Sequence, residues 1–224
     1  ALATAANIFV FLAYGTTAAV ARRSGAGDLR GALGLGVDGI WLAVLLGVVT
    51  GAALVPAAPD VVQIFGASAE ATSAAVTYLR LSALGIPGML VVLASTGVLR
   101  GLQDTRTPLA VAVAGFGSNI VLNVLFVYGL DLGIAGSALG TVAAQTGMAV
   151  ALLTVVVRGV RRTGGRLRSH PLRVLAAARD GVPLLVRTLA LRAVLLLTTW
   201  VAASGGDVTP AGYQVAATIW SFLA

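Results

Sequence analysis

Two polar pairs stand four residues apart inside long apolar stretches of this chain: Asn119 with Asn123, and Thr141 with Gln145. Four-residue spacing puts each pair on one helical face, as a cluster of uncharged oxygens and amides. Such clusters can line an interior cavity or join helices by hydrogen bonds, and the residues alone leave both readings open. Four charges also interrupt apolar stretches: Asp38, Arg80, Arg187 and Arg192. An ionised carboxylate such as Asp38 is costly there unless paired or wet, which makes Asp38 a proton-site candidate; the competing reading has it reaching a nearby aqueous surface. Arg192 lies about ten residues into its stretch, roughly 15 Å along a helix, too deep for simple snorkelling, so a buried structural or cavity role is expected. Arg80 and Arg187 lie close enough to the ends of their stretches to act as anchors.

The remaining residues exclude more than they offer. The chain has no cysteine and one histidine, His170, so disulfides, thiolate metal sites and imidazole clusters are ruled out. No serine pairs with a histidine and no two carboxylates sit close together, so the chain is not expected to be an enzyme. The net charge of +7 comes from arginine alone. Those arginines collect in alternate connections rather than along one groove-facing helix, so no nucleic-acid partner is expected.

What positions these residues follows from composition. With 58% hydrophobic and 10% charged residues, the chain is far from a soluble domain, where charged residues make up about 25%. A hydrocarbon core about 30 Å thick takes roughly 20 apolar residues per helix. Six stretches are long enough, 1–21, 31–58, 71–99, 109–130, 132–157 and 181–203, and a seventh, 208–224, stops mid-pattern. Lipid leaves every backbone group to be satisfied internally, and these stretches lack the alternation of barrel strands. The expected fold class is therefore all-α, a polytopic transmembrane helix bundle. Thr107 and Pro108 are expected to open the fourth stretch as cap and first-turn proline, and Pro183 to open the sixth. Gly85 and Pro87 predict a bend in the third. Gly47 with Gly51, Gly136 with Gly140, and Ala143 with Gly147 predict close approach between helices.

Arginines follow the first, third and fifth stretches: Arg22, Arg23 and Arg30, then Arg100 and Arg106, then seven from Arg158 to Arg179. The other connections hold Asp60, Glu70, Asp131 and Asp207 and no arginine. Cytoplasmic loops retain arginine, so the first stretch runs from outside to inside. Residues 5–13 and 216–224 are identical at six of nine positions, and both run outside to inside, as a tandem six-helix duplication would produce. The chain is accordingly expected to be a fragment. Residues 1–157 would form most of an amino-terminal lobe with five transmembrane helices. Residues 158–180 would be a basic cytoplasmic linker that can also touch anionic lipid, and 181–224 the start of a second lobe.

Tyr78-Leu79-Arg80, Gly85-Ile86-Pro87 and the run Leu99-Arg100-Gly101-Leu102-Gln103-Asp104-Thr105-Arg106-Thr107-Pro108-Leu109 resemble the multidrug and toxic compound extrusion (MATE) transporters. The similarity continues through Asn119–Asn123 and Gly133–Thr141, and Arg187-Thr188-Leu189 is similar to the DinF-like branch. It covers the chain as about helices 2–8 of 12. The resemblance implies a multi-pass antiporter of the cell inner (plasma) membrane, with two six-helix lobes in the complete protein. It would export small organic, often cationic, compounds in exchange for H⁺ or Na⁺ by alternating access, with no cofactor. The resemblance also implies an ion-linked polar site at Asn119, Asn123 and Thr141, where Na⁺ could bind. Asn123 departs from the aspartate of some members, which keeps oxygen ligands for a hard cation but removes a titratable charge. The family's first-helix aspartate, tied to the coupling proton, would precede Ala1. A lipid-linked precursor flippase of the same broad superfamily is the alternative, with Arg192 suited to an anionic headgroup.

Overall fold

The computed structural model describes residues 2–63 and 68–204; the side chains of most residues before 13 and of several after 191 lie outside that description. The described residues form α1 (Leu2–Gly25), α2 (Leu29–Gln63), α3 (Ala69–Ala83), α4 (Ile86–Gly101), α5 (Arg106–Val124), a five-residue π-turn (Leu125–Gly129), α6 (Gly133–Arg162) and α7 (Pro171–Ser204). Among them, α2, α5 with its π-turn, and α6 are each long and apolar enough to cross a membrane, and α3 with α4 make a fourth span if the bent pair is one. The fold is a polytopic helical bundle. The 216–224 half of the internal match lies outside the described residues.

The chain divides into two compact units, Ala1–Gly181 and Val182–Ala224. In the first, α4 is the hub, packed on α1, α2 and α6, whereas α5 packs chiefly on α6. Helices in lipid gain little from hydrophobicity against each other, so close contact depends on small residues. A Cβ at Gly47 would lie 2.5 Å from Pro87 Cα, and one at Gly136 2.7 Å from the Phe126 backbone. Those two glycine pairs act as their spacing predicts. Gly147 has nothing within 4 Å and makes no such contact. Gly97 brings α4 to α1: its Cβ would sit 2.6 Å from the Ala13 carbonyl oxygen, and the one Thr17 Oγ1 proton is shared between the Ala13 and Gly97 carbonyls, 2.7 and 3.1 Å away.

The bend expected in the third stretch is present, as two helices meeting at 46° with the break at Leu84-Gly85. Gly85 N–H donates to the Ser82 carbonyl at 3.0 Å, closing α3, and Pro87 sits in the first turn of α4, where a missing N–H costs nothing. Other boundaries differ from expectation. α2 continues past residue 58 through Pro56 and Pro59. Pro59 cannot donate to the Val55 carbonyl, and Arg80 Nε does so instead at 3.2 Å. Arg80 therefore anchors a backbone carbonyl rather than acting solely through headgroups. Pro183 lies inside α7, which Pro171 opens, with His170 accepting from Arg173 N–H at 2.8 Å. Within 158–180, just Thr163–His170 is non-helical.

The turns after α4 and α1 explain the Arg100–Pro108 motif. After α4, Asp104 N–H bonds the Leu99 carbonyl at 2.8 Å and Gln103 N–H bonds Arg100 at 3.0 Å, with Gln103 at φ 65°. This is a Schellman closure, in which a left-handed residue lets the chain end satisfy orphan carbonyls. Asp104 Oδ1 then accepts from Thr107 N–H at 3.0 Å, so Asp104 rather than Thr107 caps α5. The turn after α1 is built alike: Asp28 N–H to Arg23 at 3.1 Å, Gly27 at φ 79°, and Asp28 Oδ1 accepting from Gly31 N–H at 2.8 Å. Bonds to the ionised form hold both carboxyls below the usual aspartate range. For Asp28 the Gly31 N–H contributes most, followed by the Arg23 guanidinium; for Asp104 the Thr107 hydroxyl and N–H do.

Candidate functional site

Asn119 and Thr141 meet where α5 crosses α6. Gly140 makes room, since a Cβ there would lie 3.2 Å from Asn123 N and 3.3 Å from Asn123 Nδ2. Asn119 Nδ2 donates to Thr141 Oγ1 at 3.3 Å, Thr141 Oγ1 donates to the Ser137 carbonyl at 3.0 Å, and Asn123 Nδ2 donates to the Asn119 carbonyl at 2.8 Å. The order of these bonds fixes their direction. A hydroxyl has one proton, and Thr141 spends it on Ser137, so toward Asn119 it can only accept. Asn119 must therefore present its NH₂ group to Thr141. With both amide nitrogens turned to protein acceptors, Asn119 Oδ1 and Asn123 Oδ1 remain as acceptors for something else. All three residues are half-buried.

A crevice of about 260 Å³ runs along the same helix pair, lined by Val111, Ala114, Ser118, Leu122, Gly147 and Met148 among others. Its walls are almost wholly apolar. The α5–α6 pair thus combines an apolar slot with amide oxygens that have no proton to give.

The other predicted residues lie elsewhere. Gln145 is half-buried and turns toward the α3–α4 break, its Oε1 3.4 Å from where a Gly85 Cβ would sit. Four residues advance about 40° beyond a full helical turn, enough to carry this long side chain off the Thr141 face. Asp38 does not reach an aqueous surface as a snorkelling group would: it is 4% exposed and accepts a hydrogen bond from Ser169 Oγ. It stands apart from the Asn119 cluster. Arg192 lies in α7, and its side chain is outside the described residues; Arg187 is exposed. Among the described residues no group of three or more His, Cys, Asp and Glu could hold a metal ion. Residue types alone also missed Gly97 and Gly101, although their four-residue spacing was the available signal.

The model of the MatE family matches residues 2–125, more than half of the chain. The chain belongs to the MatE family. Among its MatE relatives, Protein DETOXIFICATION 44, chloroplastic, of Arabidopsis thaliana is 36% identical over 148 residues, covering 64% of this chain and 27% of that protein. DNA damage-inducible protein F of Escherichia coli is 29% identical over 224 residues, covering 97% of this chain and 48% of the relative. A crystal structure of MATE in the bent conformation superposes with TM-score 0.79 at 26% identity, over 95% of this chain and 49% of that one. A MOP superfamily transporter from Pyrococcus furiosus gives 0.78 at 26% identity, over 96% and 49%. The chain thus spans between about a quarter and a half of the MatE proteins it matches.

Proposed function

We propose that this chain is part of a secondary active multidrug exporter of the cell inner membrane, and that it carries out no covalent chemistry. Residues 1–157 would form most of the amino-terminal lobe, 158–180 the link between lobes and 181–224 the start of the second. The observation that carries this reading is the directed hydrogen-bond chain Asn123–Asn119–Thr141–Ser137, which leaves two amide oxygens as acceptors on the helix pair that also carries an apolar crevice.

Such a site suits two kinds of cargo that compete for it. A hard monovalent cation takes carbonyl-type oxygens as replacements for its water. An organic cation takes the same oxygens through its N–H groups while its body fills the slot. Alternation between the two, with Na⁺ entering as the drug leaves, would need no titratable group in the cluster. Proton coupling would need a carboxylate from another part of the protein, since Asn119, Asn123 and Thr141 hold no charge. The names of several relatives, among them a probable multidrug resistance protein NorM of Pseudomonas putida at 33% identity, support drug-like cargo.

The test uses the full-length protein in liposomes, with efflux of a fluorescent organic cation measured under an imposed Na⁺ or H⁺ gradient. Asn119→Ala is expected to slow gradient-driven efflux at least about tenfold, the loss of one hydrogen bond to a charged ligand, and Thr141→Ala to slow it less, by removing the acceptor that fixes the Asn119 amide. Unchanged efflux in both variants removes these residues from the transport path.

A further inference from the structure

Three helix ends of the first unit begin alike and then diverge. After α6, Gly165 N–H bonds the Val160 carbonyl at 2.8 Å and Gly164 N–H bonds Arg161 at 3.2 Å, with Gly164 at φ 65°. This is the closure seen after α1 and α4. There, the next residue is an aspartate that caps the following helix at once. Here, no such cap follows, and the chain crosses from Gly165 to His170 before Pro171 starts α7.

That crossing is fastened to α2 at two points. Trp41 Nε1 donates to the Leu167 carbonyl at 3.2 Å, and Ser169 Oγ donates to Asp38 Oδ1. We propose that residues 165–170 form a latch, closed on α2 by Asp38 and Trp41, which opens as a unit between Gly164 and Pro171. Both ends favour this motion. Gly164 holds a left-handed conformation that sets the direction of exit, and Pro171 fixes where helix resumes.

The chemistry of Asp38 makes the latch reversible. A carboxylate offers about four acceptor sites, and among the described residues a single neutral hydroxyl fills one of them. With 4% exposure, Asp38 has given up water for that one bond. Lifting the strap breaks the bond but lets water return to the carboxylate, so the two effects offset each other. A fully satisfied ion pair would lock the segment, and an apolar contact would give it no wet alternative. The closed state is therefore held by a margin that a change elsewhere in the protein can reverse. Asp38 on this account serves the connection between α6 and α7, whatever the protein transports.

Arg166 and Arg168 lie within the strap, so trypsin reads its state directly on the full-length protein in detergent. Proteases need an extended, detached segment, and cleavage follows the open population when opening is fast. Ser169→Ala leaves Asp38 buried without its donor and should speed cutting at these two arginines about tenfold; Trp41→Phe should give a few-fold rise. Asp38→Asn keeps an acceptor oxygen and removes the charge that demands water, so it should cut no faster than wild type. Both Ser169→Ala and Asp38→Asn are conservative, which keeps the comparison free of folding failure. Equal rates in wild type and Ser169→Ala overturn the proposal, as does Asp38→Asn cutting as fast as Ser169→Ala.

Discussion

α4 and α5 are joined by one tight turn and are of similar length, yet they are held in opposite ways. On α4, Leu90, Ala94, Ser95 and Val98 have no exposed surface, and glycines on α4 itself or on α2 bring the neighbouring backbones within contact distance. On α5, just Pro108 and Gly115 are buried, while Phe116 and Ile120 are 65% and 67% exposed. α4 is specified by shape: small residues determine how near its neighbours come. α5 is specified by polarity, with apolar side chains outward and an amide stripe toward α6. A helix held by packing on several sides resists displacement, whereas one held mainly by a single partner can adjust to a ligand. The candidate site lies on the second kind.

The largest effect separating the two helices should come from adding one methyl group. Gly97→Ala on α4 would place a Cβ 2.6 Å from the Ala13 carbonyl oxygen, a backbone atom that cannot step aside. Overpacking of this kind costs about 1–3 kcal/mol. Gly117→Ala on α5 meets nothing within 4 Å, so it should be neutral or gain up to about 1 kcal/mol from helix propensity. Thermal midpoints of the full-length protein in detergent compare them, and equal shifts would dissolve the distinction.

A smaller effect tests whether the α4 core is dry. Ser95 is 0% exposed, and its hydroxyl has no partner among the described residues. Removing an unpaired buried hydroxyl is nearly neutral or stabilising, so Ser95→Ala should leave the midpoint unchanged or raise it by about 1 kcal/mol. A loss of about 2 kcal/mol or more would mean that the hydroxyl has an acceptor and the core is not as apolar as its packing indicates.

How much of this was legible in the sequence depends on the range of each interaction. Helix class and the Asn119–Asn123 face follow from local spacing, and local spacing survives folding; span number does not, since six full stretches were expected and the described residues hold three qualifying spans, or four with the bent pair. The Gly47 and Gly136 contacts were legible for the same reason. Gly97 and Gly101 carry the same spacing, but the sequence there reads equally well as the lead-in to the arginine-rich turn. Arg80 bonds a carbonyl that Pro59 frees, which requires knowing that two helices run side by side. Asp38 and Ser169 are 131 residues apart, and no periodicity joins a helix to a loop that far away. Gln145 parts from Thr141 for a different reason: an i+4 rule specifies a face, and a long side chain at its edge can choose the other neighbour.

The turn that joins α4 to α5 offers the finest test, because its contribution depends on pH. Asp104 caps α5 in its ionised form, and the Thr107 hydroxyl and N–H lower its pKa on folding. A carboxyl with a depressed native pKa adds stability that is complete above the unfolded pKa and is lost as pH falls through the native one. Asp104→Ala should therefore lower the thermal midpoint at neutral pH by the equivalent of about 1 kcal/mol, an ordinary N-cap loss. The gap should hold steady down to about pH 5 and narrow below about pH 4, where wild type protonates and the variant has nothing left to lose. Asp104→Asn separates charge from capping, since its amide oxygen still accepts from Thr107 N–H without titrating. Its gap to wild type should be the smaller one at neutral pH and should shrink over the same acid range. A gap that widens on acidification in either variant would mean that Asp104 is held in its neutral form, and that α5 is fastened to α4 by some other bond.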